Sequence, residues 1–172
     1  MKNFLIGFIV ALIAMPLGAA LYFGLGMAPV ATTASPMPFE RRLANMALHA
    51  RIAKEMPAQV PIQPDEPNLL AGAQIYIENC AVCHGALGQP QTAIAKGEFP
   101  NPPKLVEGKG VTDDAPAETY WKVANGIRLT GMPGFKASLS ETQMWQVSLM
   151  LAHADKLPAS AQAVLRGEKG KS

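Results

Sequence analysis

This sequence has few cysteines, little net charge and few aromatic residues. Cys80 and Cys83 are the only cysteines, and the histidines His49 and His153 lie far from them, whereas a structural zinc site normally needs four ligands. The formal net charge is +2, and no basic stripe with interleaved aromatic residues appears, which argues against a nucleic-acid partner. The 172 residues leave room for one domain with accessory segments, but not for two full domains.

Charge is absent altogether from Asn3 to Phe39, and the 24 residues from Phe4 to Met27 are almost wholly apolar. As a helix this stretch would be about 36 Å long, enough to cross a hydrocarbon core of about 30 Å. We therefore predict a single-pass transmembrane anchor over residues 1–27, in which Pro16 bends the helix without breaking it. The alternative is a signal peptide cleaved after Gly18-Ala19-Ala20, although the apolar sequence continues beyond that site.

Residues 28–67 are predicted to form a linker that contains one helix. Ala28 to Pro38 is rich in Ala, Thr, Ser and Pro, a composition typical of an extended spacer. An amphipathic helix is predicted over about 39–55, packed loosely on the following domain, or lying on anionic headgroups or against a partner subunit. Its apolar face would consist of Phe39, Leu43, Met46, Ala47, Ala50 and Ala53. Four prolines between Pro57 and Pro67 then indicate a stiff connection.

The most informative motif is Cys80-Ala81-Val82-Cys83-His84, which has the C-x-x-C-H spacing of c-type haem attachment. In such a site the two thiols add to the porphyrin vinyl groups, and the adjacent imidazole becomes an axial ligand of the iron. We therefore predict one covalently attached haem c, held by Cys80, Cys83 and His84. A disulfide, a zinc site and a thioredoxin-like thiol pair are alternatives, but the last would follow a strand, and a helical pattern precedes this motif.

Helix signals flank the motif on both sides. Asn68 is a plausible N-cap for a helix that runs into the motif, and Gly72 within it predicts close approach by another helix. Ser140 and Gln143 form a capping box at the start of a helix predicted to reach about Lys156. Between them, a third helix is predicted to be capped by Asp113 or Asp114, with Pro116 in its first turn and its end at Gly126.

A set of short motifs over residues 68–157 resembles the small class I c-type cytochrome domain. These motifs are Gly72-x-x-x-Tyr76, C-x-x-C-H-G from Cys80 to Gly85, Gly131-Met132-Pro133-Gly134-Phe135, and a helix that carries Trp145. The resemblance implies an all-α fold with a few helices around one haem. Its first and last helices would cross. From Gly72 and the packing face of the last helix we expect Trp145 to lie near Gly72 and Tyr76. Residues 158–172 are expected to be a polar tail.

The same resemblance implies a second axial ligand at Met132. Eight other methionines lie in the membrane segment, the linker region or the last predicted helix, whereas Met132 stands in a loop stiffened by proline and glycine. His153 is the alternative ligand. Pro103-Lys104-Leu105 resembles the Pro-x-Leu segment of the family, which implies that the Pro103 carbonyl accepts a hydrogen bond from His84; the alternative is an ordinary turn after Pro100 and Pro102. Trp121 and Arg128 are candidates for contacts with the haem propionates.

Two arguments disagree on which side of the membrane the haem domain lies. The positive-inside rule would place Arg41 and Arg42 in the cytoplasm. Haem attachment in the family that the motifs resemble occurs outside the cytoplasmic membrane. We expect a single-pass inner-membrane protein with a periplasmic haem domain. It would carry one electron between respiratory-type protein partners, without enzymatic activity, a small-molecule substrate or a nucleic-acid partner. The alternatives are a fixed electron-entry subunit of a membrane oxidase, reductase or dehydrogenase, and a haem gas sensor or peroxidase.

Overall fold

The computed structural model describes residues 1–108 and 112–168, and within these ranges the secondary structure is entirely helical. This confirms the predicted all-α fold. The chain divides into two compact units, Met1–Leu43 and the residues from Ala44 onward. The helices are α1 (Lys2–Gly24), α2 (Glu40–Glu55), α3 (Glu66–Asn79), α4 (Ala81–His84), α5 (Ala93–Gly97), α6 (Pro116–Asn125), α7 (Glu141–Ala152), a 3-10 helix (Ala154–Lys156) and α8 (Ala159–Leu165).

The helix α1 accounts for most of the first unit. It has 23 residues, continues through Pro16, and contains no buried residue. By length and composition it is able to cross a membrane, and a signal sequence near the N-terminus has the same properties. A proline removes one backbone hydrogen bond from a helix. Membrane helices tolerate this because nearby side chains, water or a local change of helix geometry can satisfy the backbone carbonyl that loses its partner.

The helix α2 has the predicted extent but a different packing face. The side chains predicted to pack, among them Leu43 and Met46, are exposed. Ile52, with 2 % of its surface exposed, is the buried residue of this helix. Leu48 and Ile52 are one turn apart and larger than the alanines of the predicted face, so burying them removes more apolar surface from water. The predicted apolar face is therefore wrong.

The helix α3 begins slightly earlier than its sequence pattern suggested. Its N-cap is Asp65, whose carboxylate accepts a hydrogen bond from the Asn68 backbone N–H at 3.0 Å. Pro67 lies in the first turn, where a missing N–H costs no helical hydrogen bond. The assignment of Asn68 as the cap is thus wrong, because the aspartate and proline before it already form the start of the helix.

The helices α3 and α7 pack closely at Gly72. An added Cβ there would stand 2.7 Å from Met150 Cβ and would also meet the Gln146 backbone. This confirms the predicted close approach, but the nearest atoms belong to Gln146 and Met150 and not to Trp145. The Trp145 ring instead stacks on Tyr120 of α6, with centroids 4.1 Å apart. The capping box of Ser140 and Gln143 is present as predicted.

Two further details of the predicted helices require correction. The N-cap of α6 is Ala115, not Asp113 or Asp114, because the Asp114 carboxylate binds Lys122 at 2.7 Å instead of the helix N-terminus. The helix ends at Gly126 as predicted, with φ +69°. The helix α7 ends at Ala152, and the chain then turns through the 3-10 helix instead of continuing to Lys156.

The polar tail expected from residue 158 is wrong for its first part. The helix α8 packs on α3, and its Ala161 and Leu165 are buried in the same core as α3, α6 and α7. Ser160 donates a hydrogen bond to the Glu66 carboxylate at 2.7 Å, and the Leu165 carbonyl accepts one from the Leu87 N–H. Residues 169–172 of the predicted tail lie outside the described residues.

Candidate haem-binding site

The C-x-x-C-H motif forms a single helical turn directly after α3. Cys80 ends α3 and begins α4, and its carbonyl accepts hydrogen bonds from the N–H groups of Cys83 and His84. The buried Tyr76 hydroxyl donates to the Gly85 carbonyl at 2.6 Å, which joins α3 to the end of the motif. The two cysteines do not form a disulfide with each other. The backbone of the motif is thus held as a compact turn that is joined to α3.

His84 is oriented by the segment that contains Pro103. Its Nδ1–H donates a hydrogen bond to the Pro103 carbonyl at 2.8 Å, in agreement with the resemblance of Pro103-Lys104-Leu105 to the family motif. The proton is therefore on Nδ1, and the lone pair on Nε2 remains for an axial metal bond. Burial lowers the pKa of His84, and the hydrogen bond to Pro103 and the charge of Glu98 oppose that shift only in part. The imidazole is accordingly neutral at pH 7, as metal binding requires.

Met132 lies in a loop attached to the end of α6. Its carbonyl accepts a hydrogen bond from the Ile127 N–H at 3.1 Å, and its N–H donates to the Thr130 hydroxyl at 3.1 Å. An added Cβ at Gly126 would stand 2.6 Å from the Gly134 nitrogen. Glycine at position 126 therefore permits both the positive φ and the close approach of the Met132 loop.

One cavity of about 330 Å³ brings the predicted site residues together. The cysteines and His84 border it from α3 and α4, and Met132 borders it from the loop after α6. The other lining residues include Asn79, Glu98, Pro100, Asn101, Pro102, Pro103, Leu105, Lys122, Val123, Ile127, Phe135, Leu151, and Asn45, Leu48 and His49 of α2. Its volume is within the range of about 300–1,000 Å³ found for cofactor and ligand sites.

The two thiols differ in their surroundings. Burial raises the pKa of Cys80 to about 12, with a smaller effect from the charge of Cys83. The pKa of Cys83 is also raised, by burial and then by its hydrogen bond to Glu98, whose carboxylate accepts from Sγ at 3.2 Å. Without a thioether bond, both groups are therefore protonated thiols at neutral pH, and formation of that bond would remove the S–H donor to Glu98.

The donor set of this cavity fits a c-type haem. Two thiols and an imidazole with its lone pair on Nε2 border one part of the cavity, and a thioether borders another. These are the groups needed for two thioether bonds and two axial iron bonds. Within residues 1–108 and 112–168, no group of three or more His, Cys, Asp or Glu side chains is placed to hold a metal ion by itself.

The structure places the weaker sequence candidates away from the cavity. His153 donates from Nδ1 to the Leu149 carbonyl at 2.8 Å and does not border the cavity in the described part of the chain. The Trp121 indole N–H donates to the Glu55 carboxylate at 3.2 Å, on a separate surface cleft. Arg128 is likewise absent from the cavity lining among the described residues.

Sequence reasoning missed Glu98, Lys122 and the contribution of α2. Lys122 binds Asp114 at 2.7 Å and Glu118 at 2.9 Å beside the cavity. Burial lowers the pKa of Lys122, but these two hydrogen bonds outweigh it and leave the pKa raised. The i, i+4 spacing of Glu118 and Lys122 was a usable signal, whereas no local pattern marks Glu98, which directly follows α5.

An all-helical domain with a C-x-x-C-H turn and a methionine loop bordering one cavity defines the class of c-type cytochromes. Residues 67–149 match the family described as cytochrome c oxidase, cbb3-type, subunit III. The chain is also 33% identical over 81 residues to cytochrome c6 of Limnospira maxima, a match that covers 47% of this chain and 86% of that protein.

A solved structure shows the same fold. It is a chain of the reducing HAO-like protein complex of Kuenenia stuttgartiensis, with a TM-score of 0.50 and 23% identity, over 71% of this chain. The present chain spans 52% of the length of that protein. At this level of identity the likeness concerns the fold alone.

The chain belongs to the family of monohaem c-type cytochromes, and it carries a covalently bound haem c. It is an electron-transfer protein of that family. The sequence contains one C-x-x-C-H motif and no other cysteine, which sets the number of attachment sites at one.

Proposed function

We propose that this chain is a membrane-tethered cytochrome that carries one electron between protein partners, with its iron ligated by His84 and Met132. The observation that carries the proposal is that Cys80, Cys83, His84 and Met132 all border the same cavity. Haem c supplies one-electron chemistry through the ferric and ferrous states of its iron. The residues of the chain hold and orient the group and limit its contact with water.

The two axial residues would influence the iron in opposite directions. The hydrogen bond from His84 to the Pro103 carbonyl increases the basicity of the imidazole and so favours the ferric state. A thioether ligand raises the potential relative to a nitrogen ligand. The loop that carries Met132 is held by a backbone hydrogen bond from Ile127 and by the Thr130 hydroxyl, so little rearrangement would be needed when the charge on the iron changes.

The axial proposal also predicts that the protein has no enzymatic activity of its own. With His84 and Met132 both bound, no iron position is open to oxygen, peroxide or a substrate. The protein would then only accept electrons from, and donate electrons to, its protein partners. An open iron, by contrast, would favour the gas sensor or peroxidase alternative.

Optical spectra of the full-length protein, oxidised and reduced, test the ligation. We expect the weak far-red band of methionine-ligated ferric haem and no spectral change with carbon monoxide. Met132→Ala should lose the band and bind carbon monoxide. Met46→Ala, which truncates an exposed methionine outside the cavity, is the matched control and should behave as wild type. Carbon monoxide binding by the wild type would contradict His84 and Met132 as a stable pair.

The tether in this proposal is α1, with the haem domain on the periplasmic side of the inner membrane. Support comes from its 23 residues, all without burial and almost all apolar. A second support is the haem itself, since the family attaches it outside the cytoplasmic membrane. Partners tethered to the same membrane would meet this domain at a raised effective concentration.

Fractionation of cells with mass analysis of the purified protein tests the tether. We expect the intact N-terminal segment in the membrane fraction after a high-pH wash, and a protease-sensitive haem domain in spheroplasts. Ile13→Arg places a charge near the middle of α1, at a cost of about 2.5–3.5 kcal/mol for insertion, and should reduce the membrane-bound fraction. A soluble wild-type protein that has lost residues 1–20 would contradict the anchor and support a cleaved signal peptide.

A fixed subunit of a larger electron-transfer complex is the second candidate function. The observation that favours it is the match of residues 67–149 to a family described as an oxidase subunit. Purification from native membranes in a mild detergent separates the two candidates. A stoichiometric complex that survives size-exclusion chromatography supports the subunit, whereas a monomeric tethered cytochrome supports the carrier.

A further inference from the structure

One face of α2 borders the haem cavity. Asn45, Leu48 and His49 are lining residues, and Ile52 on the same helix is only 2 % exposed. Their spacing of three, four and seven residues places all four side chains on one face of the helix. The opposite side, represented by Met46, is exposed. The helix therefore presents a specific face to the cavity.

Two contacts connect this part of α2 to α6. The Trp121 indole N–H donates to the Glu55 carboxylate at 3.2 Å, and the His49 imidazole lies 3.9 Å from the Glu118 carboxylate. Arg51 also binds Glu55, at 2.6 Å, which orients that carboxylate. Together with buried Ile52, these contacts place α2 at a defined position beside the cavity.

The α2 segment lies outside the region that matches the cytochrome family. That match begins at residue 67, after the prolines that follow α2. The matched domain alone supplies the cysteines, His84, Pro103 and Met132, which are the residues needed to attach and ligate a haem. The three lining residues of α2 are thus an additional wall that the matched region does not provide.

We propose that residues 45–52 are a cofactor-binding wall that shields one side of the haem from water and from small aqueous reagents. This inference rests on the proposed function, according to which the haem iron is bound in the cavity. Leu48 is the apolar residue among the three that line the cavity from α2. By displacing water it makes the surroundings of the iron less polar, which disfavours the extra positive charge of ferric iron and raises the reduction potential. It also means that an electron-transfer partner approaches the haem from a side that α2 does not cover.

The test uses the full-length haem protein with two variants on the inner face and one on the outer face. Leu48→Ala opens the wall without removing the buried Ile52 contact, and Ile52→Ala weakens the packing of the helix. Met46→Ala is the matched control, because it shortens a side chain on the same helix that is 63% exposed. The measurements are the reduction potential, the rate of reduction by dithionite, and amide hydrogen exchange across residues 45–55.

We expect Leu48→Ala and Ile52→Ala to lower the potential and to speed reduction by dithionite, with no change in Met46→Ala. In Ile52→Ala the amides of α2 should also exchange more than about tenfold faster, because loss of a buried aliphatic side chain favours local opening. Where Ile52→Ala yields no folded protein, Leu48→Ala decides the outcome by the same potential and rate measurements.

The proposal is overturned if Leu48→Ala retains the potential and the reduction rate of Met46→Ala. It is equally overturned if the wild-type α2 amides exchange as fast as an unstructured peptide. Neither result touches the axial ligands, which are tested separately by the far-red band and by carbon monoxide. Conversely, carbon monoxide binding by the wild type would contradict Met132 as a stable iron ligand. The α2 variants would still decide whether residues 45–52 shield the haem.

Discussion

The Nδ1–H of His84 donates a hydrogen bond to the main-chain carbonyl of Pro103 at 2.8 Å. The two residues are 19 positions apart, so the bond depends on how the chain folds around the cavity. It determines which imidazole nitrogen carries the proton and which one is available for iron. The carbonyl is in turn positioned by a proline, whose ring restricts φ to about −65°.

Pro103→Gly should raise the reduction potential. Glycine releases the backbone at this position, the carbonyl is held less firmly, and a weaker hydrogen bond makes the imidazole less basic. Less electron donation from His84 then destabilises the ferric state. Redox titration measures the effect, and Pro61→Gly, the same change in the exposed linker before α3, is the control. Equal potentials in the two variants would show that the Pro103 carbonyl does not tune His84.

Gly72→Ala should destabilise the protein by about 1–3 kcal/mol, because the added methyl group overpacks the contact between α3 and α7. The obstacle is Met150 Cβ, 2.7 Å from the new Cβ, together with the Gln146 backbone. Neither group can move aside in the way that the tip of a flexible side chain can. Thermal or denaturant unfolding of the haem protein measures the loss. Gly97→Ala, where nothing lies within 4 Å of an added Cβ, should be close to wild type.

Local signals identified the parts of the structure that depend on neighbouring residues. The capping box at Ser140, the end of α6 at Gly126 and the C-x-x-C-H turn each involve residues only a few positions apart. The need for a small residue at Gly72 was also visible, although its facing residues were not. The identity of those residues depends on the rotation of α7 about its own axis, which brings Trp145 to Tyr120 instead.

The features that the sequence did not predict depend on tertiary contacts or on helices too short to show a clear hydrophobic periodicity. The helix α8 has seven residues, so its two buried side chains, Ala161 and Leu165, leave no periodic pattern. On α2 the alanines suggested a broad apolar face, but the larger Leu48 and Ile52 determine which side is covered. Glu98 reaches Cys83 from a loop 15 positions away, a contact that no spacing rule predicts.

Tyr76→Phe should destabilise the protein by about 1–3 kcal/mol, since it leaves the buried Gly85 carbonyl without its hydrogen-bond donor. The ring itself is retained, so the packing of this fully buried side chain is unchanged. Denaturant unfolding gives the free energy of unfolding. Tyr120→Phe is the control, because it preserves the stacking on Trp145 and should have a smaller effect. A neutral Tyr76→Phe would mean that the carbonyl finds another donor.

Lys122→Met should cost about 1–3 kcal/mol at neutral pH, because it removes charge-assisted hydrogen bonds to Asp114 and Glu118. These bonds outweigh burial and raise the pKa of Lys122 above its ordinary value of 10.5. A group whose pKa is raised on folding contributes its full stability below its unfolded pKa, and that contribution is lost as the pH rises through the folded pKa. The difference in unfolding free energy between wild type and Lys122→Met should therefore be constant from pH 7 to about 10 and should shrink at higher pH. Exposed Lys136→Met is the control and should show a small difference throughout. A difference that instead grows above pH 10 would contradict the ion pairs as the source of the stability.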